Sequence, residues 1–127
     1  MHTVCVSLPD FDQIDNAVGL SGSKLTASAQ KFLNRYEMAF NRQYCRHGCS
    51  ECYTACPGNV PVSAIMRYAY YYDMQGREKY AMEKYARLKG KDVSLCQTCD
   101  GGCENRCPYG VDIQSNLLRA HSRLTFA

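Results

Sequence analysis

Apolar side chains recur every three or four residues over most of this chain, a spacing that predicts amphipathic helices. The longest stripe runs from Leu25 to Phe40, and Ser21 or Ser23 stands where a side chain can cap its start. Three shorter stripes follow. Their positions are Val62, Ile65, Met66, Ala69 and Tyr72; Ala81, Tyr85 and Leu88; and Ile113, Leu117, Ala120, His121 and Leu124.

Proline and glycine mark the limits of these helices. Pro61 suits the first turn of a helix, because its missing N–H has no partner there in any case. Gly76 breaks the pattern, and Gly90 is placed to end the following short helix. The chain is therefore predicted to be mainly α.

The first 20 residues differ in character from the rest. Residues 3–8 form a β-branched run that predicts a short strand, and residues 10–18 predict a short helix. A lone strand needs a partner, so this one either pairs outside the chain or does not form. We expect a strand–helix segment over residues 1–22 and a helical domain over residues 23–127.

Eight of the nine cysteines form two runs of four, each closed by a proline. The first run is Cys45, Cys49, Cys52 and Cys56, followed by Pro57. The second run is Cys96, Cys99, Cys103 and Cys107, followed by Pro108. Thiolates at such short spacing can wrap one metal centre, and a closing Cys-Pro is the ending of the bacterial ferredoxin run.

The two runs belong to an internal repeat. A shift of 51 residues aligns three of the four cysteines and the closing prolines, and only Cys49 and Cys99 fall out of register. The match continues with Val60 on Val111 and, with one more residue of slack, into the helices that follow. Such a repeat predicts two copies of one unit, packed about a pseudo-twofold axis.

The ligand sets depend on how the runs are shared between two [4Fe–4S] clusters. In two-cluster ferredoxins the fourth cysteine of each run binds the other cluster. That crossed arrangement predicts one set of Cys45, Cys49, Cys52 and Cys107, and a second set of Cys96, Cys99, Cys103 and Cys56. The uncrossed arrangement keeps each run on its own cluster, and the sequence leaves both open.

The cysteine gaps depart from the ferredoxin spacing of two, two and three residues. Each run has one extra residue, in the first gap of the first run and in the second gap of the second, at Asp100-Gly101-Gly102. Zinc sites favour two pairs with a longer loop between them, often with histidine. Disulfides favour secreted chains with dispersed cysteines. Zinc and disulfides are therefore the alternatives to iron–sulfur clusters.

The length and net charge of the chain limit the number of domains and the classes of partner. A chain of 127 residues is one ordinary domain, or a small domain with an appendage. Its net charge of +3 would be offset by about four negative charges on two clusters, so it does not indicate nucleic-acid binding. No apolar run approaches the roughly 20 residues of a membrane span, and no signal-peptide pattern opens the chain.

Several segments carry a family resemblance. The helical stretch between the runs resembles the α-helical ferredoxins. Residues 107–121, beginning Cys-Pro-Tyr-Gly-Val-Asp-Ile, resemble the C-terminal iron–sulfur domain of a branch of bacterial aldo/keto reductases, and residues 32–45 and 67–72 fit that domain too. Residues 4–18 resemble the last strand and helix of the reductase barrel.

The resemblance implies an electron-transfer module with two [4Fe–4S] clusters and two partners, an upstream reductase barrel and an external redox partner. The barrel's catalytic set is not in this chain, so we expect no carbonyl reduction by the chain alone. The competing interpretation is a structural or interaction module organised by zinc or a redox-silent cluster. We expect a cytoplasmic location, with any targeting signal lying upstream of this segment.

Several residues outside the ligand sets also invite interpretation. Cys5 is expected to be a small buried hydrophobe, and His47 and His121 to have structural or surface roles. Arg46 and Arg106, inside the runs, either donate to cluster sulfurs or lie on the surface. Three tyrosines are expected to pack between the helices: Tyr68, Tyr72 and Tyr85.

Overall fold

The computed structural model describes residues 5–88 and 90–125. These residues fall into two compact units, and the boundary between the units lies after Arg35, inside a helix. The described residues form five α-helices and no strand, so the mainly helical fold is confirmed. The helices are α1 Phe11–Gly19, α2 Ala27–Phe40, α3 Val62–Gln75, α4 Glu78–Ala86 and α5 Ile113–Leu124.

The first unit contains α1, the start of α2 and the segment before them. Asp10 caps α1, because its carboxylate accepts the backbone N–H of Gln13 at 2.8 Å. None of the described residues of this unit is buried. Phe11, for example, is 84% exposed.

The strand predicted over residues 3–8 is not confirmed. Thr3 and Val4 lie outside the described residues, and residues 5–8 are irregular and exposed. A strand is stabilised by pairing with another strand, and the described part of the chain offers none.

The helix that leads toward the first cysteine run begins later than its apolar stripe. Thr26, and not Ser21 or Ser23, caps α2, since its hydroxyl accepts the backbone N–H of Ala29 at 3.2 Å. The helix ends at Phe40, and four residues then lead into Cys45.

The second unit is built around α5. This helix packs against α3, α4 and the 3₁₀ helix Val93–Gln97, and α3 also packs against α4. Apolar residues from all of these elements fill the core, as the helical stripes predict. The core members from the helices are Val62, Ile65, Ala81, Tyr85, Ile113, Leu117, Ala120 and Leu124.

The observed helix ends agree only in part with those predicted from proline and glycine. Pro61 is the N-cap of α3 and not a residue of its first turn. Gly76 ends α3 in the left-handed region, at φ +58°, where glycine is unstrained. The helix before Gly90 stops at Ala86, earlier than its apolar spacing indicates.

The sequence repeat reappears as repeated local structure. Each run contains a short 3₁₀ turn between its third and fourth cysteines, Tyr53–Ala55 in the first and Glu104–Arg106 in the second, separated by the same 51 residues. The helices that follow also start 51 residues apart. The slack seen in the sequence therefore lies inside the helices, where the fully buried Ile65 and Leu117 are three and four residues from the respective helix starts.

No helix among residues 5–88 and 90–125 combines the length and apolar character needed to cross a membrane.

The core assignment predicts which truncations destabilise the protein. Ile65→Ala and Leu117→Ala should each lower the free energy of unfolding by about 2–5 kcal/mol, because both side chains are fully buried and their loss leaves a cavity. Met74→Ala, a truncation in α3 at a residue that is 72% exposed, is the control and should change it by less than about 0.5 kcal/mol. Urea unfolding followed by circular dichroism measures all three, and equal effects would contradict the core assignment.

Candidate metal centre

Four thiols drawn from both runs line one small cavity. They are Cys45, Cys49, Cys52 and Cys107, here called the first thiol group. The first three come from the first run and the fourth closes the second run. The cavity measures about 20 Å³, room for about one water molecule.

The electrostatics of the first thiol group reflect this proximity. Burial raises the pKa of the Cys45 thiol, Cys49 and Cys107 raise it further, and Arg46 lowers it. Burial, followed by the Cys45 thiol, raises the pKa of Cys52 to about 11. Since charge interactions weaken with distance, Cys107 lies close to the first run although it belongs to the second.

Among the other four thiols, the closing cysteine of the first run influences cysteines of the second run. Burial raises the pKa of Cys96 to about 11, and the next contribution comes from Cys56, ahead of Cys103 and Cys99. The pKa of Cys103 is also raised, first by burial and then, among its charged neighbours, most strongly by Cys56. Cys56 therefore lies beside the second run. We call Cys96, Cys99, Cys103 and Cys56 the second thiol group.

Small residues allow the end of the first run to approach the second run. A Cβ added to Gly58 would lie 2.7 Å from the Leu95 side chain, too close for any larger residue without a shift. A Cβ added to Gly102 would lie 3.6 Å from the backbone oxygen of Ala55, in ordinary contact. The segment around Cys56 therefore packs directly on the segment that carries Cys96 and Cys103.

The two closing cysteines share one local geometry. The backbone N–H of Val60 donates to Cys56 Sγ at 3.3 Å, and the backbone N–H of Val111 donates to Cys107 Sγ at 3.4 Å. Both valines are nearly inaccessible to solvent. Each fourth thiol is thus held by an N–H group that would also stabilise a negatively charged sulfur.

Gln114 is a site residue that the sequence analysis missed. Its side-chain amide donates to the backbone oxygens of Cys96 at 2.6 Å and Cys99 at 2.8 Å. Its backbone N–H donates to the Glu104 carboxylate at 3.0 Å. Gln114 therefore ties the start of the second run to α5. The 51-residue shift places Ser63 at the matching position, so the repeat itself gave no indication of this role.

Arg42 was missed as well, and Arg46 has a different role from either one expected. Arg42 Nε donates to the backbone oxygen of Gly110 at 3.0 Å. The Arg46 guanidinium donates to the backbone oxygen of Tyr44 at 2.9 Å and to the backbone and side-chain oxygens of Asn41. It neither lies free on the surface nor directs these N–H groups at a sulfur.

The remaining predicted residues divide into surface and packing positions. Cys5 is exposed, so the expectation of a buried hydrophobe is wrong: no strand or core covers it in the described part of the first unit. His47 and Arg106 line an open cleft together with Arg46 and Glu51. Two of the tyrosines expected to pack between helices, Tyr68 and Tyr72, do contact the core.

Tyr85 and His121 form a partly buried polar contact, which gives His121 a structural role. The Tyr85 hydroxyl lies 2.6 Å from His121 Nδ1, and it accepts the backbone N–H of Val93 at 3.2 Å. Burial raises the pKa of Tyr85. These bonds join α4, α5 and the 3₁₀ helix that carries Cys96, so the packing role predicted for Tyr85 is confirmed.

The donor chemistry of the first thiol group fits a metal–sulfur core. Four sulfur donors face one cavity, and thiolates are the ligands that iron–sulfur clusters use. Within residues 5–88 and 90–125, no group of three or more His, Cys, Asp or Glu side chains is arranged to hold a single metal ion.

The raised thiol pKa values predict how stability depends on pH in metal-free, reduced protein. Cys52 and Cys96 have folded pKa values of about 11 against an ordinary 9.0, so the unfolded chain loses these protons first as pH rises. Stability should be unaffected by these thiols below about pH 8, and should fall by up to about 2 kcal/mol per thiol between about pH 9 and 11.

Urea unfolding across that pH range measures the effect. Cys52→Ala should reduce the pH dependence, whereas Cys5→Ala, which removes an exposed thiol outside both runs, should leave it unchanged. An identical pH dependence in Cys52→Ala and the wild type would show that burial does not raise the pKa of the Cys52 thiol.

Comparison of the chain with protein-family models, with curated proteins and with solved structures gave no match. The resemblance to the aldo/keto reductase iron–sulfur domain therefore rests on the cysteine runs and the residues that flank them.

Proposed function

We propose that this chain binds two [4Fe–4S] clusters and transfers single electrons. The observation that carries the proposal is the cavity lined by Cys45, Cys49, Cys52 and Cys107. It brings together three thiols of one run and the closing thiol of the other, the sharing known from two-cluster ferredoxins. When bound, an iron–sulfur cluster supplies one-electron redox chemistry.

The protein residues supply what such clusters need from their surroundings. Cys52 and Cys96 are nearly inaccessible to solvent, and burial limits the access of water and oxidants to a core. The N–H groups of Val60 and Val111 donate to the two fourth thiols, and hydrogen bonds to sulfur raise the potential of a cluster. Because the two N–H···S bonds are alike, each would raise the reduction potential of its cluster by a similar amount.

Burial of the thiols also explains why a cationic core would stabilise the fold. Bringing four thiolates together without cations is unfavourable, and the raised pKa values of Cys45 and Cys52 keep these two thiols protonated when no metal is bound. Metal ions that replace these protons would couple loading to folding. We therefore propose that cluster binding contributes directly to the stability of the second unit.

The repeated turns support a pseudo-twofold, ferredoxin-like arrangement as part of this proposal. The 3₁₀ turns, the N–H···S bonds and the helix starts all recur after 51 residues. The helices α3 and α5, one from each half, pack against each other. A repeat whose halves exchange their fourth ligands would place each cluster in an equivalent position.

The partners follow from the resemblance and are proposed with it. A reductase barrel would lie upstream, and an external redox partner would exchange electrons with the clusters. The first unit supports the barrel partner, because α1 presents an exposed apolar face that includes Phe11 and Val18. The chain by itself is proposed not to reduce carbonyl compounds.

Anaerobic purification tests the proposal. The protein should contain about eight iron and eight sulfide per chain, and its broad visible absorption should bleach with dithionite. Cys5→Ala should keep all of the iron, while Cys107→Ala should lose about half, because one cluster lacks its fourth ligand. A colourless protein with stoichiometric zinc, prepared under strict anaerobiosis, would support the structural-module alternative and exclude this function.

A further inference from the structure

The two places where the runs meet are built differently. At the first junction, residues 42–46 contact residues 107–110, bringing Cys107 to the first run. At the second junction, Leu95 packs on Gly58, bringing Cys56 to the second run. The 51-residue repeat relates these positions, so the difference lies in the side chains that the repeat does not conserve.

The first junction is polar and aromatic. The Arg46 guanidinium carbon lies 4.0 Å from the centroid of the Tyr109 ring and 4.4 Å from that of Tyr44. Both distances are within the range of a cation–π interaction. Hydrogen bonds to Asn41 and Tyr44 fix the guanidinium, so its position is set by the segment that leads into the first run.

The residue that Arg46 holds lies two positions after Cys107. Tyr109 is half-buried against the core, and both Arg46 and Tyr109 line the cavity of the first thiol group. Arg42 makes a second contact with the same turn, because its Nε donates a hydrogen bond to the backbone oxygen of Gly110. The turn that carries Cys107 is therefore held at two successive residues, Tyr109 and Gly110, by Arg46 of the first run and by Arg42 just before it.

The repeat counterparts cannot make this contact. The shift of 51 residues places Gln97 where Arg46 stands, and Gly58 where Tyr109 stands. Glutamine carries no charge and glycine no ring, so the second junction depends on the close approach of Leu95 instead. The contact of Arg46 with Tyr109 is thus specific to the first junction.

We propose that Arg46 is a positioning residue that delivers Cys107 to Cys45, Cys49 and Cys52 by holding Tyr109. The proposal rests on the crossed ligand sets of the proposed function. It predicts that loss of Arg46 separates Cys107 from the first run while leaving Cys56 beside the second run. The two junctions of one molecule therefore serve as test and internal control.

Cross-linking of the metal-free, reduced full chain with dibromobimane, a short bifunctional thiol reagent, tests the placement directly. Mass spectrometry of the digested protein measures the yield of Cys107 linked to Cys45 or Cys49, relative to Cys56 linked to Cys96. Arg46→Leu should lower this ratio about tenfold, the loss expected for a partly desolvated cation–π contact with its fixed geometry. Tyr109→Leu, which acts from the second run, should do the same.

Conservative variants separate positioning from general loosening. Tyr109→Phe keeps the ring face and should retain the wild-type ratio. Gln97→Leu, the repeat counterpart of Arg46→Leu, should leave the ratio unchanged. An unchanged ratio in Arg46→Leu, or an equal loss at both junctions, would overturn the proposal.

The loaded protein gives a second readout. On addition of an iron chelator, Arg46→Leu should release about half of its iron about tenfold faster than the wild type and the other half at the wild-type rate. Uniform acceleration of all iron release would contradict a role confined to the first junction. Because cross-linking needs no metal, it decides the role of Arg46 even if the chain proves to bind no cluster.

Discussion

The crowding of eight thiols where two chain segments meet is the constraint on which the rest of this structure depends. Burial and mutual proximity raise the pKa values of Cys52 and Cys96 to about 11, so these two thiols stay neutral at physiological pH unless cations displace their protons. The surrounding turns, hydrogen bonds and helices hold the thiols in that state.

The contacts that hold the thiols in place differ between the two halves of the repeat. The backbone is repeated closely, with the same 3₁₀ turn and the same N–H···S bond at each closing cysteine. The side chains are not repeated, since Arg46 contacts Tyr109 at one junction while Gly58 admits Leu95 at the other. Gln114 adds bonds to the second run alone. Two clusters in these sites would therefore have similar ligands but different surroundings, and hence different potentials.

The sequence predicted the helical core, because the core depends on regular spacing. The stripe through Ile113, Leu117 and Leu124 follows the helix period, and these residues are buried. The strand over residues 3–8 was not confirmed, since strand formation depends on a partner that local sequence cannot supply.

The roles of individual polar residues in the site were not predictable. Arg46, Arg42 and Gln114 bind backbone oxygens or rings, at separations that reach 68 residues along the chain. Such contacts leave no periodic pattern in the sequence. The internal repeat does not indicate them either, because the positions related by the 51-residue shift hold Gln97, Val93 and Ser63. The exposure of Cys5 was missed for the same reason, since burial depends on what packs over a residue.

The central claim, that the runs exchange their fourth ligands, is tested most directly by iron content in two matched quadruple variants. Both replace Cys45, Cys49 and Cys52 with alanine; one also carries Cys107→Ala, and the other carries Cys56→Ala. If the ligands are crossed, the variant with Cys107→Ala keeps a complete set and about four irons, while the variant with Cys56→Ala keeps none. The reverse result would show that each run holds its own cluster and would contradict the account.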